Sequence, residues 1–326
     1  MSSSTVVRRL TVAVLVAALL HVDAAEGHPS ISLRAGDLDL SVWVPDPERG
    51  YYRGQRFDHG GMVEQATWRG HTFFGELKRP HDPTVHDHGS GTAEEFGFGI
   101  IPTYDLAQPG EGFLKIGVGI LERIDAKPYA WNRVYPVVDL PAWTVTATPT
   151  AVDCVQELRF GDIAYRFRKQ TAVSADGAGF VIVHELANTG TMPIRTDHYG
   201  HNMIRIDGQA LGPDYTLTFP VEVTPHEVRK GIVFSGKTAT FTEEAATRTS
   251  WTRLEGLPGD PSANAVTVAH AGSGVAVHLA TDVAPIRGVI YAEKDTVCPE
   301  YFLDLTVAPG ITRTWTTTYR FSESSP

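Results

Sequence analysis

The stretch TRTWTTTYRF, residues 312–321, carries the pattern that decides the fold. The turn signal Pro309-Gly310 precedes it,. Successive side chains of a β-strand point to opposite faces of a sheet, so an alternating pattern predicts a strand that is buried on one face. Here, large or β-branched side chains occupy every second position: Trp315, Thr317, Tyr319 and Phe321.

Short runs of the same type recur along the chain, separated by Gly, Pro, Asn and Asp. Many short strands with closely spaced turns predict an all-β fold, a large antiparallel β-sandwich. After the N-terminal segment, no stretch keeps a helical period of apolar residues, and the short run at residues 242–248 comes closest to one. The other predicted strands lie at residues 38–44, 112–121, 143–149, 163–173, 179–186, 215–223 and 274–280.

The composition predicts a folded chain with a sizeable core. Hydrophobic residues make up 42% of the 326 residues and charged residues 20%, and these fractions are typical of globular proteins,. No linker or internal repeat marks a boundary, and β-sandwiches of roughly 200 to 250 residues form single units. We therefore expect one domain over residues 25–326.

Residues 1–24 have the pattern of a cleaved signal peptide. Arg8 and Arg9 precede an apolar run that is too short to span a bilayer, and Val22 and Ala24 fit the cleavage rule,. We expect a secreted or periplasmic protein with no stable membrane insertion after cleavage. An uncleaved N-terminal anchor is the alternative.

The formal net charge of −10 argues against a nucleic-acid partner, because binding to a phosphate backbone depends on clustered Lys and Arg,. The sequence does not predict an oligomeric state.

The two cysteines, Cys154 and Cys298, lie far apart in the sequence. In an exported protein they can form one disulfide, and two buried free thiols are the alternative. Spacing alone does not decide between the two, because it does not show whether their Cα atoms come within bridging distance.

Two histidines, His198 and His201, lie in the stretch TDHYGHNM, residues 196–203. Residues three apart in a strand point to opposite faces, so at most one of them serves a site on a given face. The pKa of histidine, about 6.5, makes it a natural proton donor near neutral pH. The other histidine is expected in the core or in solvent.

A glutamate in apolar company, Glu300, lies in the stretch VCPEYF, residues 297–302. Apolar neighbours raise the pKa of a carboxyl group toward values that suit a general base. A glutamate at a strand edge in water is the alternative interpretation.

A third cluster, HDPTVHDHGSG at residues 81–91, is rich in His and Asp. Three histidines and two aspartates in so short a span can ligate a metal, but their spacing matches no zinc signature. We therefore expect a solvated loop, with metal binding as the alternative. Upstream, the stretch YYRGQRFD at residues 51–58 combines aromatic rings with guanidinium groups. This mixture suits sugars, which offer an apolar face for stacking and hydroxyls for hydrogen bonds.

Taken in order, these clusters resemble the galactose mutarotase (aldose 1-epimerase) superfamily. Residues 185–203 resemble the stretch that carries the family's catalytic histidine, and residues 298–321 resemble the stretch that carries its catalytic glutamate. His88-Gly89 is similar to an earlier His-Gly loop of the family. The resemblance covers most of residues 38–321 and implies a galactose mutarotase-like sandwich.

The resemblance implies that the chain interconverts sugar anomers by ring opening, without a cofactor, with Glu300 as general base and His201 as general acid. If the family's Asn-His-x-Tyr order is matched instead, His198 takes the catalytic position. The implied substrate-binding residues are His88, Arg53, Arg56, Glu95, His198 and Tyr301.

Two other functions remain open from the sequence. A secreted polysaccharide lyase or other glycan-processing enzyme can use the same fold, because one fold hosts many chemistries. A non-catalytic carbohydrate-binding module, in which Glu300 is structural, is the third hypothesis.

Overall fold

The computed structural model describes residues 27–227 and 230–324. The predicted signal peptide at residues 1–24 lies outside these ranges. Strands dominate the described residues, and every strand pair in them is antiparallel, so the all-β prediction is confirmed. No helix of the described chain is both long and apolar enough to cross a membrane.

The strands, in chain order, are β1 (Ser30–Ala35), β2 (Leu38–Trp43), β3 (Val63–Trp68), β4 (His71–Thr72), β5 (Thr92–Phe96), β6 (Gly112–Lys115), β7 (Gly119–Glu122), β8 (Val137–Asp139), β9 (Trp143–Ala147), β10 (Ala151–Phe160), β11 (Ile163–Val173), β12 (Gly179–Asn188), β13 (Ile194–Asn202), β14 (Tyr215–Thr218), β15 (Thr224–Pro225), β16 (Ile232–Ser235), β17 (Thr238–Phe241), β18 (Thr249–Glu255), β19 (Ala265–His270), β20 (Val275–Thr281), β21 (Arg287–Glu293), β22 (Thr296–Val307) and β23 (Thr312–Glu323). The described chain also has short 3₁₀ helices at Ile206–Gly208, Glu243–Thr247 and Pro261–Ala263.

Two large sheets form the body of the molecule. One has ten strands in the order β16-β17-β14-β19-β20-β23-β12-β11-β10-β9, and the other has six in the order β15-β18-β21-β22-β13-β5. Smaller sheets are formed by β1 to β4 and by β6 to β8.

The main core lies between the two large sheets. Trp315 and Tyr319 of β23, in the ten-stranded sheet, belong to the same buried cluster as Leu303 and Leu305 of β22, in the six-stranded sheet. Their neighbours in sequence on β23 are less buried, as the alternation in residues 312–321 predicts. Burial of one face of each sheet at about 25 cal/mol per Å² of apolar surface stabilises the sandwich.

Residues 112–121, predicted as one strand, form the hairpin of β6 and β7. Gly117 lies in the turn with a φ of +78°, a region that favours glycine,. A Cβ atom there would lie 2.3 Å from the Cβ of Asp58, so the close approach also requires glycine. The alternation of apolar residues continues through the turn, so the sequence pattern does not show where β6 ends and β7 begins.

Both cysteines are buried and free, and no disulfide joins them within the described chain. Cys154 lies in the main core, whereas Cys298 packs in a separate cluster that contains Met62 and Met203. The sequence left a disulfide and two free thiols open, and the structure has the free thiols.

Candidate functional site

A cavity of about 340 Å³ lies on the face of the six-stranded sheet that points away from the main core. Residues of β13, β18, β21 and β22 form its floor, and the segments that follow β2, β4, β5 and β7 supply its walls. The lining residues are Arg56, Leu77, Asp87, Phe98, Trp131, His201, Trp251, Arg287, Val289, Tyr291, Glu300 and Phe302.

Strand register brings the two candidate catalytic side chains together on this floor. Tyr199 of β13 pairs with Phe302 of β22, and their rings stack with centroids 4.2 Å apart. The bridge between Ile204 and Val297 keeps the same antiparallel register, which sets His201 opposite Glu300. Both side chains then point to the cavity, because residues two apart in a strand share a face.

His201 and Glu300 form a close, buried pair. The Nε2 atom of His201 lies 3.3 Å from Oε1 of Glu300. Burial raises the pKa of the Glu300 carboxyl to about 8 and holds the pKa of His201 well below its ordinary value. The Nδ1 atom of His201 is buried and has no hydrogen-bond partner among the described residues. At neutral pH the pair therefore retains one proton, chiefly on Glu300.

Arg56 organises the adjacent wall of the cavity. Its Nε donates to Oε2 of Glu95 over 2.9 Å, one terminal nitrogen donates to the hydroxyl of Tyr199 over 2.7 Å, and the other pairs with Asp87. The Trp131 ring lies 4.2 Å from the guanidinium carbon. Charge-assisted contacts on several sides hold this guanidinium in one orientation.

Aromatic rings form the rest of the wall. Phe98 stacks against Trp131 with centroids 5.9 Å apart, and the Tyr291 ring meets His201 edge-on at 5.7 Å. The cavity thus combines apolar ring surfaces with a few polar groups, an arrangement typical of small-molecule sites.

His198 lies on the opposite face of β13 from His201. Its ring packs in the main core, 4.5 Å from Phe96 and 5.0 Å from Trp315. Burial lowers the pKa of His198 to about 3. Its strand parity directs it away from the cavity, so the structure brings His201, and not His198, to Glu300.

Glu95 and Tyr301 are not among the described residues that line the cavity, although both were predicted to contact substrate. Glu95 is fully buried, and its oxygens accept from Lys115, Arg56 and Tyr199. Glu95 therefore holds the guanidinium of Arg56 in place from the side that faces away from the cavity. Tyr301 points into the main core, where its hydroxyl donates to the carbonyl of Ala265, because it follows Glu300 in the strand and takes the opposite face.

Arg53 and His88 also lie outside the described lining of this cavity. The backbone N–H of Arg53 donates to the carbonyl of Pro83. Nδ1 of His88 accepts the backbone N–H of Asp82 over 2.9 Å, which closes the loop on itself. Of the two predicted arginines, only Arg56 reaches the cavity.

The histidines of residues 81–91 are engaged separately. Nε2 of His81 contacts the carbonyl oxygen of Tyr51 at 2.7 Å, and the His86 ring meets Trp131. A set of side chains with metal-ligand spacing lies elsewhere, in the core, and consists of Glu94, His184 and His198.

The ammonium group of Lys169 already neutralises this core set. Its Nζ lies 2.9 Å from Glu94 and 2.9 Å from Asp58, and Nε2 of His184 lies 2.9 Å from Glu94. A cation bound to the Glu94 carboxylate disfavours a metal ion at the same oxygens. We therefore regard the set as a buried ion network.

Asp87, Trp131 and Arg287 are three of the cavity residues that sequence patterns do not predict. Asp87 belongs to the His-rich stretch, but its pairing with Arg56 depends on the fold. Trp131 lies in a loop that shows no motif. Arg287 shares one strand face with Val289 and Tyr291, and this alternation was the available signal, but only the pairing of β21 with β22 places it near Glu300.

Comparison with known proteins identifies the fold. No protein-family model and no curated protein sequence matches the chain. Solved structures do match it. The Slr1438 protein of Synechocystis is 13% identical, with a TM-score of 0.58, over 90% of this chain and 96% of its own.

Two further solved structures carry informative names. A galactose mutarotase-like protein from Lactobacillus casei is 10% identical, with a TM-score of 0.54, over 90% of this chain and 100% of its own. A galactose 1-epimerase from Lactobacillus acidophilus is 9% identical, with a TM-score of 0.55, over 93% of this chain and 97% of its own. The chain is therefore an all-β sandwich protein. Its fold is that of galactose mutarotase-like proteins.

Proposed function

We propose that this protein interconverts the anomers of a sugar, with Glu300 as general base and His201 as general acid. The observation that carries the proposal is the convergence of these two side chains, 3.3 Å apart, in one aromatic-walled cavity. The named neighbours of the same fold, a galactose mutarotase-like protein and a galactose 1-epimerase, support a carbohydrate substrate.

The number of protons on the pair fits this chemistry, although the resting state holds the proton on Glu300 and not on His201. A general base and a general acid need one proton between them, and the pair retains one at neutral pH because the pKa of Glu300 is raised and that of His201 is lowered,. Transfer of this proton from Glu300 to His201 gives the reactive form. Arg56 favours the charged state of Glu300.

The reaction then balances within the site. The Glu300 carboxylate accepts the proton of the anomeric hydroxyl while protonated His201 donates to the ring oxygen. The bond between C1 and the ring oxygen breaks, C1 becomes a carbonyl carbon, and rotation about the adjacent C–C bond exposes its other face. Reversal of both proton transfers closes the ring as the other anomer.

The walls support a sugar as the substrate. The Trp131, Phe98 and Tyr291 rings offer apolar faces for the C–H groups of a sugar ring, and polar groups lie on the floor,. A small cavity of this size suits a monosaccharide or the end of a short glycan.

Polarimetry on freshly dissolved α-glucose and α-galactose tests the proposal. The wild-type protein should accelerate the decay of optical rotation, and Glu300→Gln should reduce kcat by roughly 10²- to 10⁴-fold, the usual contribution of a general base. Asp304→Asn, at an exposed carboxylate of the same strand, is the matched control and should keep full activity.

Two results would contradict the proposal. One is sugar binding without turnover, unaffected by Glu300→Gln, as a carbohydrate-binding module would show. The other is absorbance from unsaturated uronic acid products on a glycan panel, as a lyase would give.

A further inference from the structure

A second guanidinium group, that of Arg287, lines the same cavity. Val289 of β21 pairs with Glu300 of β22, so Arg287 and Glu300 are diagonal neighbours across the two strands. Standard sheet geometry separates such neighbours by about 7–8 Å. A single sugar residue can therefore reach both Arg287 and the proposed acid/base pair.

Unlike Arg56, Arg287 has no counterion among the residues that the structure describes. Its side chain forms no ion pair or hydrogen bond within residues 27–227 and 230–324, and its Nε is buried without a partner. The charges of Asp197 and Glu300 favour the protonated form of Arg287, but neither carboxylate forms an ion pair with it among the described residues. Asp197 is engaged elsewhere, since its oxygens accept the backbone N–H groups of Gly99 and Ile100.

Aromatic rings hold the Arg287 guanidinium in place. Its central carbon lies 3.6 Å from the centroid of Phe302 and 5.2 Å from that of Phe98. A cation over a ring face is stabilised there, and the N–H donors in the plane of the guanidinium stay available. A planar fork of free donors is the geometry that binds a carboxylate or phosphate through two hydrogen bonds.

We propose that the substrate carries an anionic group, a carboxylate or a phosphate, which pairs with Arg287. This inference rests on the proposed function for the identity of the substrate as a sugar. A partly buried charge without a partner costs free energy, and a bound oxyanion removes that cost. The pairing would select uronic acids or sugar phosphates over neutral sugars.

The test compares three sugars on the same protein: glucose, glucuronate and glucose 6-phosphate. Polarimetry measures kcat/KM, and titration calorimetry measures affinity. We expect one of the two anionic sugars, or both, to exceed glucose. Arg287→Gln should lower kcat/KM for the preferred anionic sugar roughly ten- to hundred-fold more than for glucose, as loss of hydrogen bonds to a charged group predicts.

Two variants control for charge and folding. Arg195→Gln removes an exposed arginine from the same sheet and should leave the preference for the anionic sugar unchanged. Arg287→Lys keeps the charge without the planar fork and should retain part of the preference, which also shows that a changed residue at this position folds.

The outcomes separate the two proposals. Calorimetric binding of an anionic sugar that depends on Arg287, with no mutarotation of any sugar, would overturn the proposed function and support the anionic ligand. Mutarotation that depends on Glu300, with equal loss for all three sugars in Arg287→Gln, would overturn the anionic ligand alone. If none of the three sugars binds, both proposals fail.

Discussion

His201 and Glu300 form a cross-strand pair whose Nε2 and Oε1 atoms lie 3.3 Å apart. The register of β13 and β22, anchored by the pairing of Tyr199 with Phe302, sets them opposite each other. Directly opposed residues on one face have Cβ atoms about 4.5–5.5 Å apart, so sheet geometry alone holds the two groups within reach. His201 also pairs with Ala93 of β5 and Glu300 with Val289 of β21, so strand pairing and not a loop holds both residues.

The two histidines of β13 should differ sharply on substitution. His201→Gln removes the proposed acid and should lower kcat for mutarotation by roughly 10²- to 10⁴-fold. His198→Gln changes a core side chain and should lower the free energy of unfolding while the folded fraction keeps its kcat. Polarimetry with thermal unfolding measures both effects. An equal loss of kcat in the two variants would contradict this assignment.

Stability should depend on pH through Glu300. Folding raises the pKa of this carboxyl from 4.5 to about 8, so the folded state holds a proton that the unfolded chain has lost between these values. Stability therefore falls as pH rises through this window. Between pH 6.5 and 8.5 the wild type should lose about 2 kcal/mol relative to Glu300→Gln, a difference that urea unfolding of both proteins measures. Parallel pH profiles would refute it.

Arg56 should matter for stability as well as for the cavity. Arg56→Met leaves Asp87 without its cation and deprives the buried Glu95 of one of its two, at a cost of about 3 kcal/mol,. Arg34→Met breaks an exposed pair with Asp39 and should cost less than about 1 kcal/mol,. Denaturant unfolding of the two variants checks the contrast, and similar costs would show that the Arg56 network contributes little.

Tyr301 should behave as a core residue. Tyr301→Phe removes the hydrogen bond to the carbonyl of Ala265 and should lower the free energy of unfolding by about 1 kcal/mol,. Because the side chain points away from the cavity, sugar affinity measured by calorimetry should not change. A weaker sugar affinity in this variant would place Tyr301 in the site after all.

The cysteines should react only after unfolding. Burial raises the pKa of the Cys154 thiol to about 12 and that of Cys298 well above its ordinary value, so neither forms a reactive thiolate in the folded protein,. A thiol reagent should find none in native protein and two in guanidinium chloride. No reactive thiol in the denatured protein would reveal a disulfide.

The local sequence pattern was sufficient to predict many of the strands and the direction of their side chains. The alternation in residues 312–321 predicts a strand buried on one face, and the spacing of His198 and His201 predicts that they take opposite faces, because side-chain direction in a strand has a period of two. The apolar sequence neighbours of Glu300 predict a raised pKa, but the burial that raises it comes from the tertiary structure, because the adjacent Tyr301 points to the opposite face of the strand.

The tertiary structure alone decided which face of β13 is the cavity. It turned Tyr301 and His198 into the core, placed Glu95 behind Arg56, and brought Arg287 beside Glu300. Each of these outcomes depends on which strands pair and in what register, and on packing between sheets that are distant in sequence. Periodicity within one strand defines two faces, but only contacts with other strands give each face its surroundings.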